Sequence, residues 1–263
     1  MLNMIKYELY RYSRNLSTYV TFALLIIFNI MMVGMNASEP GAQTGEHALS
    51  TFMSITDFAS FAFASTGFTM IYGAWVGVYA YGEFGKGYIR NIASVSRSKI
   101  QFFVAHMAVC VVMFVIMAVI SSVSAMTAAK LMIANVKFGD IIHLLQVLSM
   151  ELYLHLPLAA LILFVTYISR NAFVPVIVSF CLPMGLESLP LITVQNFFTK
   201  IMGEGAKEIN HWLDHTSVCM NVMMIELDLY NGDSLHKYFI VSGIMLVIYS
   251  VFACLSITKK DIK

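Results

Sequence analysis

An all-helical integral membrane protein is the fold class this sequence predicts, with six crossings, an N-terminal interfacial helix and both termini cytoplasmic. Three observations carry that prediction. Uncharged runs at 18–35, 58–82, 100–129, 152–169 and 238–258, and a sixth at about 171–194 broken only by Glu187, take up most of the 263 residues. Hydrophobic residues make up 59% of the chain and charged residues 12%, mean hydropathy is +0.77, and a soluble domain carries about a quarter charged residues. Lys and Arg, finally, segregate between the links joining the runs. A bilayer core about 30 Å thick takes roughly 20 helical residues to cross. Hydrocarbon offers the backbone no partners, so each run must satisfy its own hydrogen bonds as a helix.

Residues 1–16 come first. Leu2, Ile5, Leu9, Tyr12 and Leu16 recur at helical spacing, opposite Asn3, Tyr7, Tyr10 and Arg14. A basic amphipathic helix of this kind is expected to lie in the membrane interface. The crossings are expected at about 18–35, 58–82, 100–129, 150–169, 171–194 and 237–258. The first is longer than a typical signal-peptide core and no small-x-small cleavage site follows it, so it reads as a retained crossing. The second carries Gly73-x-x-x-Gly77, a spacing that lets helix backbones approach closely and points to packing. The third holds His106 near its start and the small residues Ser121, Ser122, Ser124, Ala125, Ala128 and Ala129 near its end, which suit a tight helix contact or, second to that, a mildly polar pathway. The fourth and fifth meet at a tight turn around Ser169-Arg170-Asn171 and form an antiparallel hairpin. Pro175, Pro183 and Pro190 favour kinks in the fifth. The long link 195–235 alternates apolar patches with acids and reads as short helices resting on the outer leaflet.

Charge sets the orientation. With the N-terminus inside, the cytoplasmic links hold Lys6, Arg11, Arg14, Lys86, Arg90, Arg97, Lys99, Arg170, Lys259, Lys260 and Lys263. The outer links hold Lys130, Lys137, Lys200, Lys207 and Lys237, so every arginine falls inside. Positive charge resists translocation, and both termini are therefore expected in the cytoplasm. A net charge of +1 gives no sign of a nucleic-acid partner. The four cysteines are unclustered and form neither a disulfide framework nor a metal-ligand spacing.

The link 83–99 is the most informative polar stretch. It reads Glu83-Phe84-Gly85-Lys86-Gly87-Tyr88-Ile89-Arg90-Asn91-Ile92-Ala93-Ser94-Val95-Ser96-Arg97-Ser98-Lys99. Glycines open it, a short amphipathic turn follows, and a basic cluster begins the third crossing. An acid, a glycine three or four residues on, an apolar-x-Asn step and a Ser-Arg pair occur in this order at Glu83, Gly87, Ile89, Asn91 and Ser96-Arg97. In these residues, in the N-terminal helix, in the six crossings and in the Arg170-Asn171 hairpin the chain resembles the permease subunits of type-two ABC exporters. Lys86 between the glycines departs from the pattern.

The resemblance implies that 83–99 is a coupling segment docking into a cytoplasmic ABC ATPase, with Glu83, Gly87, Tyr88, Ile89, Arg90, Asn91, Ser96 and Arg97 as the coupling residues. It implies a second permease copy or paralogue, because six crossings make half a transporter. Length and compact outer loops most resemble permeases for bacteriocin or lantibiotic immunity and for small amphipathic peptides. A Walker A loop would need glycine at position 80 and Ser or Thr at 87, where Ala80 and Gly87 stand. This chain is thus expected to bind no cofactor and not to be an enzyme, with ATP-Mg held by the partner ATPase.

Three other groups of residues were weighed. His143, Glu151 and His155 could approach one another at the outer end of the fourth crossing, and two imidazoles with a carboxylate can hold zinc. That supports an alternative, an intramembrane metal-dependent hydrolase; the simpler reading is a set of interfacial polar residues. His211, Asp214 and His215 read as a solvated helix face. Glu187 is an ionisable residue inside a crossing and hence a candidate gate or pathway residue. It stands sixteen residues past Asn171, about 24 Å along a helix, close to the outer interface. A membrane sensor or scaffold that binds peptide without moving it is the third class of function.

Overall fold

The computed structural model describes residues 2–37, 54–85, 99–133, 136–186, 188–214 and 235–259. Ten α-helices are found among them, and no strand. They are α1 (Leu2–Ser13), α2 (Leu16–Ala37), α3 (Ile55–Ala64), α4 (Thr66–Gly85), α5 (Lys99–Met132), α6 (Ile141–Ser169), α7 (Phe173–Cys181), α8 (Ser188–Met202), α9 (Ala206–Asp214) and α10 (Leu235–Lys259). The stretches Leu16–Ala37, Ile100–Met132, Ile141–Ser169, Phe173–Met202 and His236–Ile257 are each long and apolar enough to cross a bilayer, and the bent pair α3–α4 makes a sixth. The predicted all-helical membrane fold is thus present, and the differences from expectation lie inside the crossings.

The second crossing is broken where the sequence suggested one continuous helix. Ser65 takes an extended conformation (φ −72°, ψ 151°), and the axes of α3 and α4 meet at 45°. Ser65 closes α3 through its Oγ, which donates to Ala62 O, and accepts from the Phe68 N–H of the next helix. At the other end of α3, Ser54 and Asp57 form a reciprocal capping box. The break is therefore built from small hydroxyl side chains, without proline.

The pair α3–α4 is the hub of the bundle. It packs against α2, α5, α6 and α7, and on α3 Phe61 is the exposed residue. Phe63, Phe68, Tyr72, Val76 and Ala80 are all but excluded from the surface. Gly73 and Gly77 do the packing their spacing suggested. A Cβ at Gly73 would come within 2.8 Å of Ile162 Cδ1 and of Ser179 Cβ. One at Gly77 would come within 2.8 Å of Pro175 Cβ. Only hydrogen at these positions lets α4 lie against α6 and α7.

The small residues of α5 also serve packing. Ala125, Ala128 and Ala129 cluster with Val33 of α2 and with Phe58 and Ala62 of α3. Buried Asn29 of α2 donates to Ser121 Oγ and Ser124 Oγ, each at 2.9 Å, and so adds a polar tie between the first and third crossings. Such ties hold helices where lipid supplies no hydrophobic drive for their association.

Helix α6 starts at Ile141, nine residues before the expected edge of the fourth crossing. Asp140 caps it, and it runs straight through Pro157. It ends at Arg170 in the left-handed conformation (φ 49°, ψ 29°), whose N–H donates to Thr166 O at 2.9 Å. Asn171 Oδ1 then accepts from Phe173 N–H, and α7 folds back against α6 as the tight turn predicted. Of the three prolines expected to kink the fifth crossing, Pro175 and Pro190 stand in the first turns of α7 and α8, where a missing N–H costs nothing. The break falls at Leu182–Leu186, a π-type turn holding Pro183, in which Gly185 takes φ 88°. Helix α8 runs on to Met202, past the expected end of that crossing.

The Pro175 ring that faces Gly77 is rigid. Gly77→Val is expected to cost about 1–3 kcal/mol of stability, read as a lower unfolding temperature in detergent micelles. Gly82→Val, at a glycine with nothing within 4 Å of a Cβ, should leave that temperature unchanged.

Candidate functional site

Two buried polar assemblies lie along α4. The first gathers at the end of the bundle where α4 stops and α5 begins, flanking the link 86–98. Glu8 of α1 is 1% exposed although it carries a charge. Its carboxylate accepts from Tyr79 Oη at 2.9 Å and pairs with Arg11 at 3.0 Å. The Arg11 guanidinium lies 5.3 Å from the centre of the Tyr79 ring. Tyr79 thus offers the α1 charges both a donor and a π-face, which is what a buried ion pair needs to offset its lost hydration.

Aromatic rings extend this clasp. Trp75 and Tyr79 stack at 5.0 Å, and Tyr12 meets Trp75 edge-on, also at 5.0 Å. The Tyr12 hydroxyl donates to Met113 Sδ of α5. Burial pushes the Tyr12 phenol above its ordinary pKa, which keeps its proton on as a donor. His106 of α5 lies edge-on to Phe102, and its Nδ1 is 3.0 Å from Tyr167 Oη of α6. Four elements, α1, α4, α5 and α6, are therefore bound together beside the two helix ends that carry the link.

Sequence reasoning expected α1 to turn Leu9 and Tyr12 one way and Tyr7, Tyr10 and Arg14 the other. That division holds: Tyr12 is buried, and Tyr7, Tyr10 and Arg14 are exposed. Leu16 departs from it at 75% exposure, and Glu8 occupies the inward face instead. The signal was available, since Glu8 is four residues before Tyr12 and three before Arg11.

The second assembly sits at the middle of the bundle. Glu151 and His155 of α6 are 0% and 1% exposed, and His155 Nδ1 is 3.4 Å from Glu151 Oε2. Phe68, Tyr72 and Phe114 surround the imidazole with ring centres 5.6, 5.6 and 4.7 Å away. Its Nε2 lies 3.3 Å from Thr69 Oγ1 of α4. This corrects the interfacial reading of Glu151 and His155. Because α6 begins at Ile141, the two residues stand ten and fourteen positions inside it, at mid-crossing and away from any surface. The i,i+4 pairing was legible, but the partner across the bundle was not.

The zinc reading does not fit either. His143 is two helical turns before Glu151, and among the described residues no three His, Cys, Asp or Glu side chains gather to hold a metal ion. Of the expected coupling residues, Glu83 lies in the last turn of α4. Gly87, Tyr88, Ile89, Arg90, Asn91, Ser96 and Arg97 lie outside the described residues, as do Glu187 and His215. His211 and Asp214 fall within α9.

The first assembly ties α1 to α4, α4 to α5 and α5 to α6. A family model described as "ABC-2 family transporter protein" matches residues 4–185, from α1 to the turn that breaks the fifth crossing. No curated protein matches the chain.

Tyr79→Phe removes the hydroxyl given to Glu8 and nothing else. A hydrogen bond to a buried charge contributes about 1.5–3 kcal/mol. The variant should lose stability on that scale, and α1 should be cut at a lower protease concentration while the remaining helices stay protected.

Proposed function

The chain belongs to the ABC-2 family of transporter proteins, and on that premise we propose that it is the membrane permease subunit of an ATP-driven exporter. A multi-pass membrane protein of this family works with ABC ATPase partners. The ATPase subunits here are separate cytoplasmic polypeptides that hold ATP-Mg. The chain pairs with a second copy or a paralogue, and both of its termini are cytoplasmic. Its cargo is an amphipathic or antimicrobial peptide or a hydrophobic toxin, cleared from the cell or from the bilayer.

One observation carries the mechanism: the clasp of Glu8, Arg11, Tyr79, His106 and Tyr167 at the two helix ends flanking the link 86–98. A coupling segment works only if its motion reaches the crossings without being absorbed at its roots. In this mechanism the ATPases close on ATP and push the segment around Gly87, Tyr88, Ile89, Arg90 and Asn91. The clasp moves α4 and α5 as one body, and the pathway between the paired permeases changes the side it opens to. Ser96 and Arg97, which precede α5 in the chain, and Glu83, in the last turn of α4, are the coupling residues at its two ends. Glu187, close to the exit, is the gate residue of this reading.

Ile89→Asp combined with Arg90→Asp is expected to abolish export in cells while membrane insertion and permease abundance stay at the native level. ATPase activity measured in the same membranes should persist without transport. Native export by this double variant would remove the docking role. Capture of the full chain in mild detergent from its own cells should bring down a Walker-type ATPase, and its absence would count against the whole reading.

A further inference from the structure

The middle assembly has a hydrogen-bond arithmetic that the transport mechanism leaves unused. His155 Nδ1 is 2.8 Å from the backbone oxygen of Glu151. A carbonyl oxygen only accepts, so Nδ1 carries a hydrogen. The other ring nitrogen, Nε2, faces Thr69 Oγ1 at 3.3 Å, and the same Oγ1 is 3.2 Å from the backbone oxygen of Ser65. A hydroxyl has one hydrogen to give.

Two arrangements follow. When His155 is neutral, Nε2 is a lone pair; the Thr69 hydroxyl must point at it, and Ser65 O is left with the Thr69 backbone N–H, at 3.1 Å. When His155 is an imidazolium, Nε2–H donates to Thr69 Oγ1, and the hydroxyl hydrogen turns to Ser65 O. The Glu151 carboxylate, 3.4 Å from Nδ1, is then the counter-charge.

Ser65 is the residue at which the second crossing bends by 45°. A threonine hydroxyl bonded to the carbonyl four residues back bends a helix. The same turn is seated tightly, since a Cβ at Gly67 would run into the Phe28 ring of α2. We propose that His155 is an intramembrane proton-binding site whose occupancy sets the bend of the second crossing through the Thr69 hydroxyl. The ligand is a single proton. With it, α4 is held to its own break; without it, the hydroxyl ties α4 to α6 instead.

The groups that neighbour this switch fit a local device. Tyr72 of α4 gives its hydroxyl to the Cys110 backbone oxygen of α5 at 3.2 Å. Tyr238 of α10 packs on Leu154, and Ser242 is the other buried polar side chain of that helix. On α3, Thr56 and Ser60 are buried, and Asp57 is engaged in the cap of its own helix. Glu151 is the charged side chain seen against the imidazole.

The test uses the full chain in lipid nanodiscs. Nitrogen resonances of labelled histidine, with His155 assigned from His155→Gln, report both ring nitrogens from about pH 8 down to about pH 3, a range extended below that over which imidazole charge ordinarily changes. Spin labels at Phe61→Cys on α3 and Gly82→Cys on α4, with the four native cysteines replaced by alanine, report the bend. We expect Nδ1 to stay protonated throughout, Nε2 to gain a proton as pH falls, and the label distance to shift over the same interval. Thr69→Val should abolish the distance shift while Nε2 still titrates, and Thr69→Ser should restore it. An Nδ1 without hydrogen, an Nε2 that never changes, or a distance that ignores the titration would each overturn the proposal, as would a full shift in Thr69→Val. If Thr69→Val does not fold, the coincidence of the two wild-type titrations decides. The device involves the α3–α4 break and α6, away from the link, so its failure would leave the permease reading intact, and failure to capture an ATPase would leave the device intact.

Discussion

Enclosure of the second crossing is the constraint on which the rest of the structure depends. Helices α3 and α4 are packed by α2, α5, α6 and α7, so their buried polar groups, Thr69, Tyr72 and Tyr79 among them, are out of reach of water and lipid. In such a place each donor or acceptor must find a protein partner or cost several kcal/mol. The glycines at 73 and 77 make the enclosure possible, and the hydroxyls and rings of Ser65, Thr69, Tyr72 and Tyr79 are its consequence. All four find their partners on other elements or at the break of the crossing itself.

Those partners divide by depth. At the end next to the link, Tyr79 meets charged residues of the N-terminal helix, and the result is a stiff joint. At mid-bundle, Thr69 meets an imidazole on one side and a carbonyl at a bend on the other, which allows two arrangements. One helix thus carries a rigid root beside the proposed coupling segment and an adjustable joint about ten residues further in. In the proposed mechanism, where a push on the link reaches a pathway inside the membrane, α4 would serve as a lever with one grip and one articulation. Helix α10 and the segment α8–α9 lie beyond the family match, which ends at residue 185.

The fold was largely legible. Uncharged runs of sufficient length have one solution in hydrocarbon, and Gly73-x-x-x-Gly77 announced close packing because backbone approach needs only the absence of side chains. The tight turn at Arg170 was legible for a similar reason, since its polar residues stand alone between two apolar runs. The break at Ser65 was not. Nothing in a serine distinguishes a bend from a helix, and the difference lies in which neighbours its hydroxyl and carbonyl reach. Glu151 and His155 were read as interfacial, and Glu8 was not read at all, for one common cause: burial of a charge depends on a partner from elsewhere in the chain, and sequence spacing shows only the partners one turn away.

By itself, then, the sequence determined that this chain is helical and lives in a membrane, because the cost of charge and of unpaired backbone in hydrocarbon acts on each segment separately. Only the tertiary structure decided that α4 is the hub, that Glu8 belongs to a joint and that His155 faces Thr69. Those are meetings between crossings, and each is set by close packing that composition leaves undetermined.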